Sequence, residues 1–211
     1  MTNATRYAIP GARHRVEVAI DRSRFLCTVV EVTSSDDAQG VVRAINVEFP
    51  DATHHCWAYV LGAPGSTDRV GLSDDGEPHG TAGRPMLTVL LHSGVGDIGA
   101  VVTRWYGGTK LGTGGLVKAY TGAVQLALRD MPRAVRIAYA FLDVQVSYAS
   151  VSALQLLWPV HEVEVLANQY STDVRFSLRY PIAGDALLRQ AIRDVTRGQV
   201  LFTDTSDVKI L

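Results

Sequence analysis

The sequence predicts an α+β protein of two domains. Segments in which apolar and polar residues alternate are interleaved with segments of helical period. Twelve of the 19 glycines lie between Gly71 and Gly115, whereas beyond residue 131 only Gly184 and Gly198 remain. Past that change of texture the chain runs strand, helix, strand, strand, helix, strand, the order of a ferredoxin-like sandwich.

The elements follow one after another. HRVEVAIDRSRFLCTVVEV alternates and is rich in β-branched residues, predicting two strands joined at the polar corner DRSR. Ser34 to Asp37 can cap a helix through Ala38, Val41, Val42 and Ile45 that ends before Pro50. CWAYVLG and the stretch from Arg69 to Leu72 read as strands. Gly83 to Leu91 reads as a short apolar helix with Arg84 and Pro85 in its first turn. IGAVVTRWY is an apolar strand leading into the loop GGTKLGTGG. After the loop, Val117, Tyr120, Val124 and Leu128 share one helical face, opposite Lys118, Gln125 and Arg129, until Pro132 ends the helix.

A boundary between residues 131 and 138 follows, giving domains of residues 1–134 and 135–211. In the second, FLDVQVSY is a strand and SVSALQLLW a helix. VEVLANQY and DVRFSLRY are strands, DALLRQAIRDV is a helix, and QVLFTDT closes the sheet.

With 47% apolar and 19% charged residues and a mean hydropathy of +0.10, the chain has the composition of an ordinary globular protein. No run of 18 apolar residues occurs, so no membrane partner is expected. The first residues show neither the apolar stretch nor the cleavage pattern of a signal peptide, and the expected location is the cytoplasm. Cys27 and Cys56 form neither a CxxC pair nor a disulfide framework, and are expected to be buried thiols. The net charge of −1 neither requires nor excludes nucleic acid. Locally, however, no acidic residue occurs from Ile98 through Arg129, while Arg104, Lys110, Lys118 and Arg129 form a basic strip.

PDATHHCWAYVLG, SDDGEPHGTAGRPML and VVTRWYGGTKLGTGGLVKAY, with SRFLC near the start, resemble the sequence blocks of the IMPACT family, in its two-domain bacterial YigZ-like form. The resemblance covers residues 15 to 130; the second half is similar to the small carboxy-terminal domain of those members by pattern. It implies a ribosomal protein S-five domain two-like first domain and a ferredoxin-like second domain similar to a terminal domain of elongation factor G. It also implies a link to translational control, and hence the ribosome, RNA or a translation-related protein as partner. Trp105, Trp57 and His79 stand where the family commonly has phenylalanine or tyrosine, tyrosine, and serine.

Two loops carry the candidate chemistry. Gly107, Gly108, Gly112, Gly114 and Gly115 lie between a strand and a helix, where free N–H groups and the helix dipole favour an anion. Arg104, Lys110, Thr113 and Lys118 make this a candidate phosphate or RNA contact. The spacing is neither a Walker loop nor a dinucleotide fingerprint, and a tight strand-to-helix crossover explains it equally. The other loop places Asp74, Asp75 and Glu77 beside His79 and ahead of Arg84. These carboxylates suit magnesium or acid–base work, but Asp-Asp-Gly-Glu-Pro is also turn chemistry, with Asp75 and Gly76 setting the turn. A structured polar loop is the preferred reading, since no nucleophile is evident.

His54, His55 and Cys56 lie on a strand, so His54 and Cys56 share a face and His55 points away. Further zinc ligands at suitable spacing are missing, and neither a metal nor a cofactor is expected. Trp105 and Tyr106 could stack on bases or belong to the core. Arg175 and Arg179 alternate with the apolar row of a strand and face away from the core, on a surface that could meet RNA. The expected function is a regulatory or binding protein of translation. The alternative is an enzyme acting on a phosphorylated or nucleotide ligand at the glycine-rich loops.

Overall fold

The computed structural model describes residues 5–210, with side chains through Asp204. Its contacts divide the chain into two compact units, Met1–Val135 and Arg136–Leu211.

The first unit contains a short strand β1 (Arg6–Pro10) and a five-stranded antiparallel sheet. The sheet comprises β2 (His14–Ile20), β3 (Ser23–Glu31), β4 (His54–Val60), β5 (Val70–Ser73) and β6 (Ile98–Trp105), in the order β2-β3-β6-β4-β5. Register places Cys27 opposite Val102, and Val102 opposite Cys56. Strand alternation therefore sends Phe25, Cys27 and Val29 to the same face as Cys56, Ala58, Ala100 and Val102. That face is covered by α2 (Gly83–Leu91) and α3 (Gly112–Asp130), which contribute Met86, Leu90, Leu116, Tyr120 and Val124. Burying such side chains stabilises the unit by roughly 1.5–3 kcal/mol each, and Phe25 meets Tyr120 edge-to-face at 5.4 Å.

The opposite face packs against α1 (Ser35–Glu48) through Val32, Ala38 and Leu61. Ser34 caps α1 by accepting from Asp37 N at 3.1 Å, while Asp37 Oδ2 accepts from Thr33 N at 3.0 Å. Tyr7 of β1 donates to Asp97 at 2.6 Å.

The second unit holds β7 (Arg133–Val146), α4 (Val151–Val160), β8 (Glu164–Tyr170), β9 (Val174–Pro181), α5 (Asp185–Val195) and β10 (Val200–Ile210). β7 pairs antiparallel with β10 on one side and β9 on the other, and β8 lies beyond β9. This is the ferredoxin-like strand order. The core contains Leu142, Val144, Phe176, Leu178 and Tyr180 from the sheet, against Leu154, Trp158, Leu188 and Ile192 from α4 and α5. The chain is thus α+β with two domains, a ribosomal protein S-five domain two-like domain followed by a ferredoxin-like one.

Two local expectations need correction. Gly112–Gly115 are not loop but the first turn of α3. The apolar stripe of α3 runs through Leu116, Ala119, Tyr120, Ala123, Val124 and Ala127, which leaves Val117 37% exposed. After Pro132, β7 begins at the next residue and runs through the division between the units.

One close approach fixes the loop after β6. The β2–β3 turn puts both Asp21 (φ 44°) and Arg22 (φ 68°) in the left-handed region, as a two-residue hairpin turn requires. Gly107 crosses this turn so closely that an added Cβ would lie 2.1 Å from the Arg22 carbonyl carbon. Gly107→Ala is therefore expected to destabilise the protein by about 2 kcal/mol, measured by urea unfolding. Wild-type stability in this variant would contradict that packing.

Candidate functional site

The end of β6 carries Arg104 on the helix-covered face, two residues beyond Val102. Alternation drags this guanidinium inward, where it is 5% exposed. A charge in that position is costly unless matched. The match is Glu77 from the acidic loop: Arg104 Nη1 donates to Glu77 Oε1 at 2.5 Å. Tyr120 donates its hydroxyl to the same oxygen at 2.7 Å. Phe25 and Tyr106 present their rings to the guanidinium at 5.3 and 5.5 Å.

Around this pair the neighbouring strands add polar groups. Cys56 Sγ lies 2.9 Å from the Asp74 carbonyl and 3.3 Å from the Tyr120 hydroxyl. His54 Nδ1 lies 2.7 Å from the Asp75 carbonyl, which can only accept, so Nδ1 carries the hydrogen. His54 Nε2 then faces Glu77 Oε2 at 4.0 Å. Burial pushes the Cys56 thiol up to about 12 and the Tyr120 phenol still higher. Both groups stay protonated at neutral pH, which denies the cluster an activated nucleophile. Cys27, fully buried, is likewise raised to about 12 by burial.

The acidic loop is built by its own carboxylates. Asp75 (φ 43°) and Gly76 (φ 83°) form the turn. Asp74 Oδ1 accepts from Ala82 N at 3.1 Å and Gly83 N at 2.8 Å, and Oδ2 accepts from Gly80 N at 2.8 Å. Asp74 thereby caps α2 from a distance, since Ala82 at the cap position has no suitable side chain. Burial opposes its ionisation, but the three N–H donors prevail and hold its pKa below the ordinary value of 3.8. Asp75 Oδ2 accepts from His55 N at 2.6 Å. The His55 ring turns to the other face of β4, with Nδ1 3.1 Å from Thr103 Oγ1, and burial lowers its pKa. Among the described residues, no group of three His, Cys, Asp or Glu side chains is arranged to hold a metal ion.

The basic loop has the opposite character. Lys110, Gly112, Thr113, Gly114 and Lys118 are exposed, and Gly115 is half-buried. The first turn of α3 has no acidic residue and no side-chain cap. Gly108 and Gly112 have positive φ, but Gly114 does not, and a Cβ on Gly114 would meet nothing within 4 Å. Gly114 thus serves neither a backbone requirement nor internal packing.

The structure brings together Arg104, Glu77, His54 and the Asp74–Asp75 backbone, and leaves Lys110, Lys118 and Arg84 at the surface. Arg104, read from the sequence as part of the basic strip, is withdrawn from it by Glu77. Sequence reading missed Tyr120 as a polar partner because its position marks it as core; its hydroxyl was the available signal. Trp105 donates Nε1–H to Asp51 at 2.9 Å and packs under Arg24 at 4.5 Å, while Tyr106 is 45% exposed. On the sheet of the second unit, Arg175 pairs with Asp143 at 2.8 Å and Arg179 pairs with Glu164.

Comparison with known proteins gives a consistent result. Residues 21–128 match the family model described as the Impact N-terminal domain. The Escherichia coli (strain K12) protein named IMPACT family member YigZ is 39% identical over 194 residues, covering 92% of this chain and 95% of its own. IMPACT family member YvyE of Bacillus subtilis (strain 168) is 44% identical over 115 residues, covering 54% of this chain and 52% of its own. A solved structure described as that of a hypothetical protein aligns with a TM-score of 0.65 at 37% identity, covering 96% of this chain and 98% of that one.

Glu77→Ala is expected to cost about 3–5 kcal/mol in urea unfolding, because it strands a buried guanidinium. The double variant Glu77→Leu with Arg104→Met should be less damaged than Glu77→Ala; a larger loss in the double variant would show that the charge pair itself drives folding.

Asp74 gives a pH signature. Its folded pKa is depressed, so its stabilisation is present above the unfolded value and is lost as pH falls from 3.8 through the folded pKa. Stability measured between neutral pH and acid should fall less steeply in Asp74→Asn than in wild type.

Proposed function

Because this chain belongs to the IMPACT family, we propose that it is a regulatory binding protein of translation that contacts the RNA phosphate backbone, on the ribosome or free, through the start of α3. The carrying observation is the contrast between two helix starts. That of α2 is filled by the Asp74 carboxylate, whereas that of α3 is open, acid-free and flanked by Lys110 and Lys118. Gly112, Thr113, Gly114 and Gly115 would bring backbone N–H groups to a phosphate, with the lysines supplying charge. A helical glycine costs roughly 0.5–1 kcal/mol relative to alanine. At Gly114, close approach by a partner accounts for that cost.

Residues 1–134 would form the contacting domain and 135–211 an accessory one. Its sheet arginines face carboxylates, so phosphate contact is assigned to the first domain. No helix among the described residues is long and apolar enough to cross a membrane, and action in the cytoplasm fits this reading. The alternative, catalysis on a phosphorylated or nucleotide ligand, has less support. Asp74 is committed to backbone N–H groups and Glu77 to Arg104, so neither is available as a free base.

Ribosome co-sedimentation and binding to single-stranded RNA, each titrated with salt, test the proposal. Binding should weaken steeply with salt, and Lys110→Ala and Lys118→Ala should each weaken it and reduce the logarithmic salt slope by about one. Gly114→Ala should raise stability by about 0.4–1 kcal/mol while weakening binding. Absence of both ribosome and RNA binding at low salt would sink the proposal.

A further inference from the structure

Away from the start of α3, a cleft of about 530 Å³ runs between α2 and α3. Its α2 wall carries Arg84, Pro85, Thr88, Val89 and His92, and its α3 wall carries Val117, Thr121 and Gln125. On each wall the lining residues recur at the i, i+4 spacing of a helical ridge. The cleft is therefore about two turns, or roughly 12 Å, long. Its polar groups are largely satisfied within the helix: Thr88 Oγ1 donates to the Arg84 carbonyl at 3.0 Å, and His92 Nδ1 lies 2.8 Å from the Thr88 carbonyl. Between these polar groups the cleft floor is an apolar strip of the half-buried Pro85 and Val89 and the partly exposed Val117.

Arg84 is the one permanently charged residue lining this cleft, and the Asp74 carboxylate at its Gly80 end is taken up by the N–H groups of Gly80, Ala82 and Gly83. Arg84 is exposed and makes no ion pair among the described residues. α2 contains no carboxylate, and the only one in α3 is Asp130 at its far end. A groove between two helix ridges accepts the ridge of a third helix. An apolar floor beside an unpaired cation selects a ridge with apolar anchors and acidic flanks.

We propose that the α2–α3 cleft docks a short acidic amphipathic helix of a partner protein, with two apolar side chains one turn apart over Pro85, Val89 and Val117 and a carboxylate on Arg84. This goes beyond the RNA contact at Lys110 and Lys118, uses none of those residues, and can fail without it.

The test is titration of the isotope-labelled full chain with a synthetic three-turn helical peptide bearing leucines one turn apart among glutamates, followed by NMR. The expected result is amide shifts concentrated at Thr88, Val89, Val117, Thr121 and Gln125. Arg84→Glu and Val117→Ser, both at exposed positions, should each weaken binding about tenfold, with unfolding midpoints confirming the fold. A lysine-for-glutamate peptide should bind more weakly. Three results would overturn the proposal: no shifts in the cleft, equal binding of the lysine peptide, or the same cleft shifts produced by an RNA oligonucleotide.

Discussion

A guanidinium cannot sit under two helices without a counter-charge, and the placement of Arg104 imposes that condition on the first domain. Strand alternation leaves the side chain no other direction, because Val102 and Ala100 on the same face belong to the core. The acidic loop must therefore deliver Glu77 to one point, and α3 must present Tyr120 there. Ser23, at the start of β3, accepts from Gly107 N at 3.1 Å and so ties the hairpin and the glycine loop to the same place. Segments distant in sequence are joined by one pair of charges.

The two helices over the sheet show how such a constraint sorts chemistry. α2 begins within the acidic loop and takes its cap from Asp74, which is held by three N–H groups and packed against Gly83, where an added Cβ would meet the Ser73 carbonyl oxygen at 2.8 Å. Nothing comparable closes α3. Its glycines at positions 112 and 114 face open space, and the loop before it is held instead by Gly107 against the hairpin. One end is an internal anion site already filled; the other is a surface. The acidic loop is therefore consumed by the fold, whereas the basic loop is left at the surface.

The sequence made the elements legible wherever short-range patterns decide them. Ser34 before an apolar period gave the start of α1, alternation gave β3 and β9, and Pro132 gave the end of α3. It also grouped the two glycine loops and separated His54 from His55 by strand parity. It failed where a residue type belongs to two classes. Gly112, Gly114 and Gly115 read as loop but are helical, because at a helix start the missing intrahelical partners leave the backbone exposed whatever the residue. Val117 read as core, but a rotation of the helix by one position puts Leu116 there instead, and small residues at Ala119 and Ala123 hide the true stripe from a periodicity count.

By itself, then, the chain determined its α+β class, its order of elements from β2 onward and the division of its glycine-rich segment into an acidic and a basic loop, because these depend on side-chain type and local spacing. Only the tertiary structure decided that the basic loop loses Arg104 to the acidic one, that Tyr120 completes the pair, and that Lys110, Lys118 and Gly114 remain outside. Those outcomes depend on which groups register and packing bring within hydrogen-bonding distance and on how much water they exclude. A salt bridge spanning 27 residues, supported from α3, leaves no mark in any local window.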